Sequence, residues 1–218
     1  HASRDGVLVL SHDASVDAMT DGSGLIRDMT FAQLQQLDAA AGFRGRDGQT
    51  LQQTGIRLPA LKTVFEALPD ARYVIEIKQQ QPSIVQPLCT LLRQQQLQER
   101  VLVGSFHDDV LKAFRQDCPE VATSFSRREV TALVMLHRLG LAHLYPLQGV
   151  ALQVPPASAG IRILTPAFVQ AMQARGLKVQ VWTINQPEAM HELLGMGVDG
   201  IITDYPDLLR AVLDKPRT

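Results

Sequence analysis

Val74-Ile75-Glu76-Ile77-Lys78 is a short β-branched run that ends in a carboxylate and an amine two residues apart. Side chains alternate faces along a strand, so Glu76 and Lys78 point the same way. Val74 and Ile75 make a buried strand the expectation. Burying a lone charge costs several kcal/mol unless it is paired or binds a metal. Two charges on one face of such a strand therefore read as a site, with a structural Glu–Lys ion pair as the bland alternative.

Similar runs recur on either side. Tyr73–Lys78, Val101–Phe106, Val121–Ser126, Gly149–Val154, Lys178–Ile184 and Gly200–Thr203 are apolar and β-branched, at intervals of roughly 20–30 residues. Amphipathic stretches lie between them. Ile84–Gln98 repeats apolar residues at helical spacing, as does Asp108–Gln116. Thr165–Ala174 opens on an N-cap threonine with proline at the first helical position, and Gly176 supplies its stop. Pro187–Met196 ends at Gly197, and shorter helices are expected over Thr30–Leu37 and Leu61–Leu68. Strand–helix alternation demands crossovers and hence a parallel sheet. No glycine-rich dinucleotide fingerprint opens a helix. Six βα units, several ending in polar or aromatic residues, point to a TIM (β/α)8 barrel with two units unaccounted for.

Asp5-Gly6 is a hairpin-turn signal, with Val7–Leu10 as the returning arm. The arm before the turn is cut short at His1, so two upstream strands are expected to complete the eight. One domain over residues 1–218 is the expected organisation.

The composition, 45% hydrophobic and 20% charged with a net charge of -1, fits a single soluble globular domain. The balance gives no reason to expect nucleic acid as partner. No apolar run reaches the ~20 residues that span a bilayer. Leu133–Tyr145 is apolar enough to face lipid or a partner, although packing on the barrel is the commoner fate of such a segment. Cys89 and Cys118 lack metal-ligand spacing and read as buried free thiols. The Gln-rich pieces Gln79–Gln81 and Gln94–Gln96 read as solvated. A cytoplasmic location is expected, with a periplasmic or membrane-associated one left open.

Barrels of this kind act at the C-terminal ends of their strands. Those ends deliver His12 and Asp13, Glu76 and Lys78, Ser105 to His107, Ser124 to Ser126, Gln153, Trp182 to Asn185, and Thr203 with Asp204. A histidine, a carboxylate, an amine and an aromatic wall suit metal-assisted displacement at phosphorus. A hard cation, Mg²⁺ or Ca²⁺, takes oxygen ligands such as Glu76. His107-Asp108-Asp109 imitates a metal cluster, but acidic groups there suit a helix N-terminus. Asp204 reads as a cap for the last helix.

In order along the chain, Val9-Leu10-Ser11-His12-Asp13, Thr20-Asp21-Gly22-Ser23-Gly24, Glu76-Ile77-Lys78, Val181-Trp182-Thr183-Ile184-Asn185 and Gly197-Val198-Asp199-Gly200-Ile201-Ile202-Thr203-Asp204-Tyr205-Pro206 resemble the glycerophosphodiester phosphodiesterase family. The resemblance implies a metal-dependent TIM-barrel hydrolase that cleaves glycerophosphodiesters to an alcohol and glycerol 3-phosphate. Some branches act on lysophospholipids in the manner of phospholipase D. It implies His12 as general acid for the leaving alcohol, Glu76 as a metal carboxylate, Lys78 as a phosphate contact and Trp182 as a pocket wall, with Phe106 and Gln153 lining the pocket. The family's His-Arg-Gly and Glu-x-Asp motifs are absent, and Ala18-Met19-Thr20 stands where many members have Arg-Thr-Thr. The chain as written is therefore expected to be inactive. A degenerate barrel that only binds phosphoesters is the competing reading. The expected partner is a small phosphodiester or lysophospholipid, with an oligomer and membrane contact left open.

Overall fold

The computed structural model describes residues 1–45, 48–158 and 160–214. These form two compact units, His1–Val121 and Ala122–Thr218.

The first unit opens with the hairpin. Ala2 bridges Leu8 antiparallel across a turn at Asp5-Gly6, and Gly6 takes the positive φ of 82° that the turn requires. The returning arm then pairs with residues 59–61: Leu10 donates to the Pro59 carbonyl and Leu61 to that of Leu8. Short helix α1 (Phe31–Leu34) starts in a capping box between Thr30 and Gln33, and α2 spans Leu61–Ala67. Strands β1 (Tyr73–Glu76) and β2 (Val101–Gly104) run parallel, Tyr73 opposite Val101 and Glu76 opposite Gly104. Helices α3 (Val85–Gln94) and α4 (Asp108–Asp117) pack on one face of this pair. Leu88, Leu92 and Phe114 are almost wholly buried there. A smaller core of Val9, Val16, Ile26, Leu34 and Leu58 sits under the loops that follow the hairpin.

Strand β1 is not buried on both faces. Tyr73, Ile75 and Ile77 turn toward the helices, whereas Val74 is 53% exposed on the face it shares with Glu76. The expectation of a buried run holds for one face only, because the helices packed on β1 cover the Tyr73–Ile75–Ile77 face and leave the Val74–Glu76 face uncovered. The cysteine reading is also corrected. Cys89 on α3 and Cys118, the residue that ends α4, form a disulfide. Helix packing brings together two residues that are 29 apart in sequence, so sequence spacing gave no sign of it. Gln79, read as solvated, is buried: its side chain accepts from the Ala2 N–H and donates to the Pro82 carbonyl.

The second unit is built on β3 (Ala122–Thr123), β4 (Ala151–Val154), β7 (Lys178–Val181) and β8 (Gly200–Ile201), with a two-residue hairpin, β5 (Ala157–Ser158) and β6 (Ile161–Arg162), after β4. β4, β7 and β8 are parallel neighbours in that order, and Ser124 bridges Ala151 on the other side of β4. Gly149 permits that approach, since a β-carbon on it would lie 2.9 Å from the Thr123 and Ser124 carbonyl oxygens. Around the sheet stand α5 (Arg127–Arg138), α6 (Pro166–Gln173), α7 (Pro187–Met196) and α8 (Pro206–Leu213). Thr165 caps α6 through the Phe168 N–H, and Gly197 ends α7 at φ 88°. Both ends fall where the sequence put them. Among the described residues no helix is long and apolar enough to cross a membrane.

Candidate active site

At the C-terminal end of β1 the ladder continues one residue further, the Ile77 N–H donating to the Gly104 carbonyl. Ser105 then clamps the strand end. Its hydroxyl donates to the Ile77 carbonyl at 2.7 Å and accepts from the His107 N–H. Lys78 emerges beyond this clamp, on the same face as Glu76. The two form an ion pair, Nζ to Oε2 3.0 Å, with side chains 23% and 35% exposed. The ion pair by itself fits a structural role as well as a site.

Those surroundings include His12. The Ser11 hydroxyl donates to the Asp13 carbonyl at 2.8 Å and closes a turn that presents the His12 ring. The ring Nε2 lies 3.3 Å from Lys78 Nζ, and Nδ1 lies 2.8 Å from Asp13 Oδ1. An ammonium can only donate, so Nε2 accepts from Lys78 and Nδ1–H donates to Asp13, which assigns the tautomer from the network. Asp13, His12, Lys78 and Glu76 therefore form one line of alternating charge and hydrogen bonds. Most of it is open to water: the His12 side chain is 74% exposed. Exposed pairs of this kind add ~0–1 kcal/mol to stability, so stability does not explain the grouping. Asp13, which the sequence places at the same strand end without a role, orients the His12 ring.

Phe106, just past β2, is exposed in the same unit. In the second unit Gln153 on β4 and Trp182 just past β7 are half-buried. Gln153 donates to Gln180 Oε1 at 2.9 Å from the register position opposite it. Gln180 shares the Trp182 face by period two, a signal the sequence held. Asn185 ties the two last strand ends together. Its side chain donates to Asp204 Oδ2 at 2.8 Å and accepts from the Thr203 hydroxyl and the Asp204 N–H. Asp204 is thus held by Asn185 and does not cap α8, whose N-cap is Tyr205. Asp108 and Asp109 occupy the first turn of α4, as the dipole argument expects.

Glu76 suits a hard cation in kind, being an oxygen donor beside open solvent, but not in number. Mg²⁺ takes six ligands and Ca²⁺ up to eight, several of them waters in the case of Mg²⁺. Among the described residues Glu76 belongs to no trio of ligating side chains. The one such trio, Cys89, Cys118 and Glu120, has its sulfurs in the disulfide and cannot ligate.

Comparison with known proteins identifies the family and the fold. The sequence matches the glycerophosphoryl diester phosphodiesterase family over residues 1–208. It is 32% identical to the probable glycerophosphodiester phosphodiesterase 2 of Mycobacterium tuberculosis over 97% of this chain and 76% of that protein. It is 22% identical to a lysophospholipase D of Rattus norvegicus, over 99% and 75%. Among solved structures it resembles a glycerophosphoryl diester phosphodiesterase domain from M. tuberculosis (TM-score 0.80, 22% identity, 98% of this chain and 85% of that one). It also resembles an Oleispira antarctica phosphodiesterase in complex with sn-glycerol-3-phosphate (TM-score 0.72, 23% identity, 98% and 82%). These likenesses give the chain the α/β TIM-barrel fold class. Family members are generally dependent on a divalent metal. With its ordered motifs, its βα repeat and the family match over nearly its whole length, the chain belongs to the glycerophosphoryl diester phosphodiesterase family.

Proposed function

We propose that the protein hydrolyses glycerophosphodiesters to an alcohol and glycerol 3-phosphate, acting as one catalytic domain over residues 1–218. The observation that carries this reading is the line Asp13–His12–Lys78–Glu76. In it, Asp13 fixes the His12 ring and stabilises the charge it gains on protonation. As the imidazolium, His12 gives its Nε2 proton to the leaving alkoxide as the P–O(alkyl) bond breaks, and the proton released by the water that forms the new P–O bond returns to Nε2. Lys78 lies within reach of both His12 and Glu76, so it can move from the imidazole to a phosphoryl oxygen and balance its developing charge. Phe106, Gln153 and Trp182 are proposed as substrate-lining residues.

Glu76 is proposed as one oxygen ligand of Mg²⁺ or Ca²⁺. When bound, such an ion polarises phosphoryl oxygens. A single carboxylate does not hold such an ion tightly, so further oxygen ligands must complete its shell. The Cys89–Cys118 disulfide favours an oxidising compartment over the cytoplasm.

The test is turnover of glycerophosphocholine by the full-length protein, with and without chelator. His12→Ala and Glu76→Ala should each remove ~10²–10⁴-fold of the activity. Full turnover in both variants would overturn the assignment. Similarity to a lysophospholipase D supports a second reading, in which lysophosphatidylcholine is the better substrate. A ratio of kcat/KM values for the two substrates decides between them.

A further inference from the structure

The near-zero net charge of the chain conceals an asymmetry. Between Ala122 and Pro187 there are six lysines and arginines and a single acidic residue, Glu129, against 21 basic and 22 acidic residues in the whole chain. That one carboxylate is engaged in the capping box of α5, accepting from the Ser126 N–H. The same stretch holds the densest run of exposed large apolar side chains. Met135 is 54% exposed, Leu139 70% and Leu144 65%, and Leu147 follows at 40%.

Helical spacing puts Arg128, Met135 and Leu139 on one stripe of α5, with Arg138 beside it. The opposite stripe, Leu133 and Val134, is buried in the core. The segment beyond the helix is held in place. Ala142 is buried in a 3-10 turn, Ala142–Leu144, and the Arg175 guanidinium donates to the Ala142 and Tyr145 carbonyls at 2.7 and 2.6 Å. A fixed backbone therefore holds Leu144 out into water. Singly exposed leucines are ordinary; several within sixteen residues, on an ordered frame flanked by cations, mark an interaction surface.

We propose that this surface, α5 and the turn that follows it, docks on an anionic lipid surface. The apolar side chains would enter the headgroup boundary while Arg128 and Arg138 meet lipid phosphates, as an amphipathic interfacial segment does. Charge complementarity selects this occupant over a second copy of the chain, since two such surfaces face to face would juxtapose like charges. The surface lies before the N-terminal end of β4, away from the strand end that bears Gln153, so docking is compatible with a water-soluble or a lipid substrate and does not depend on the proposed activity.

The test is co-sedimentation of the full-length protein with vesicles of phosphatidylcholine alone and of phosphatidylcholine mixed with phosphatidylglycerol. Binding is expected to the mixed vesicles and to fall with added salt. The Leu139→Glu/Leu144→Glu variant should partition ~100-fold more weakly, about tenfold per leucine. Arg128→Gln/Arg138→Gln should weaken binding to the mixed vesicles about fivefold per charge and leave the zwitterionic background unchanged. All four side chains are exposed, and Arg138 also donates to the Arg162 carbonyl, so melting temperatures close to that of wild type will show that the variants fold. No binding to mixed vesicles, or equal binding by the leucine variant, overturns the proposal. So does concentration-dependent self-association that the leucine variant abolishes, which would assign the surface to a second copy.

Discussion

Strands β1 and β4 read alike in sequence and differ in the fold. Both are short apolar runs with one polar interruption, Glu76 in one and Gln153 in the other. β4 is flanked by β7 and by the Ser124 bridge, and its Leu152 and Val154 are fully buried. β1 is an edge strand, and its Val74–Glu76–Lys78 face is open enough to leave Val74 half in water. The comparison shows where charge can be afforded. On β4 the polar residue is a neutral amide satisfied by Gln180, whereas β1 carries an ion pair that keeps partial access to solvent.

That contrast predicts a separation of activity from stability. Lys78→Ala should lower turnover of glycerophosphocholine about 10²-fold or more while moving the denaturation midpoint little. Leu152→Ala should do the reverse, costing ~2–5 kcal/mol in stability by opening a cavity in a closed core. Val74→Ala, on the open face, should cost less than ~1 kcal/mol. Chemical denaturation of the three variants, read beside their turnover, checks all three. A Val74→Ala cost as large as that of Leu152→Ala would mean that the β1 face is covered in solution.

The disulfide gives the next largest effect, and it falls on the first unit alone. Closing a loop of 29 residues stabilises a fold by about 3.6 kcal/mol through the unfolded chain. Cys89→Ala/Cys118→Ala should lose about that much, and a reductant should destabilise wild type by a similar amount while leaving the double variant unmoved. Equal sensitivity of both proteins to reductant would argue that the thiols are not joined.

What could be read in advance follows from the range of the interactions. Helix ends such as Thr165-Pro166 and Gly197 are local chemistry, and they were placed to within a residue. The Glu76–Lys78 pair was legible because period two is a property of any strand. The Cys89–Cys118 bond, the buried Gln79 amide and the Asn185–Asp204 tie each join residues from separate elements, and nothing in the neighbouring sequence marks them. The β5–β6 hairpin was missed because two-residue strands carry no periodicity.

The smallest expected effect compares the two units through acid. In the first, Asp38 accepts from the Gln53 and Ala40 N–H groups, with Arg57 nearby, and these hold its carboxyl below the ordinary 3.8. In the second, partial burial raises the Asp199 carboxyl, but hydrogen bonds from Gln173, the Val179 N–H and Lys178 outweigh it, and the net direction is again down. A depressed carboxylate contributes its stability in full above the unfolded value and loses it as pH falls through the folded one. Both units should therefore weaken only below about pH 4, with no change attributable to these groups between pH 5 and 8. Asp38→Asn and Asp199→Asn should each flatten the acid limb of a stability-against-pH curve, since an amide has no proton to gain. The two elements differ in what else they hold. Asp199 joins α6 to the start of β7, inside the packed sheet, whereas Asp38 closes a loop over the smaller core of its unit. The Asp199→Asn variant should consequently shift the cooperative unfolding midpoint, while Asp38→Asn should show first as faster amide exchange at Ala40 and Gln53. Exchange at those two amides unchanged by Asp38→Asn would mean that the loop is held by its apolar residues alone.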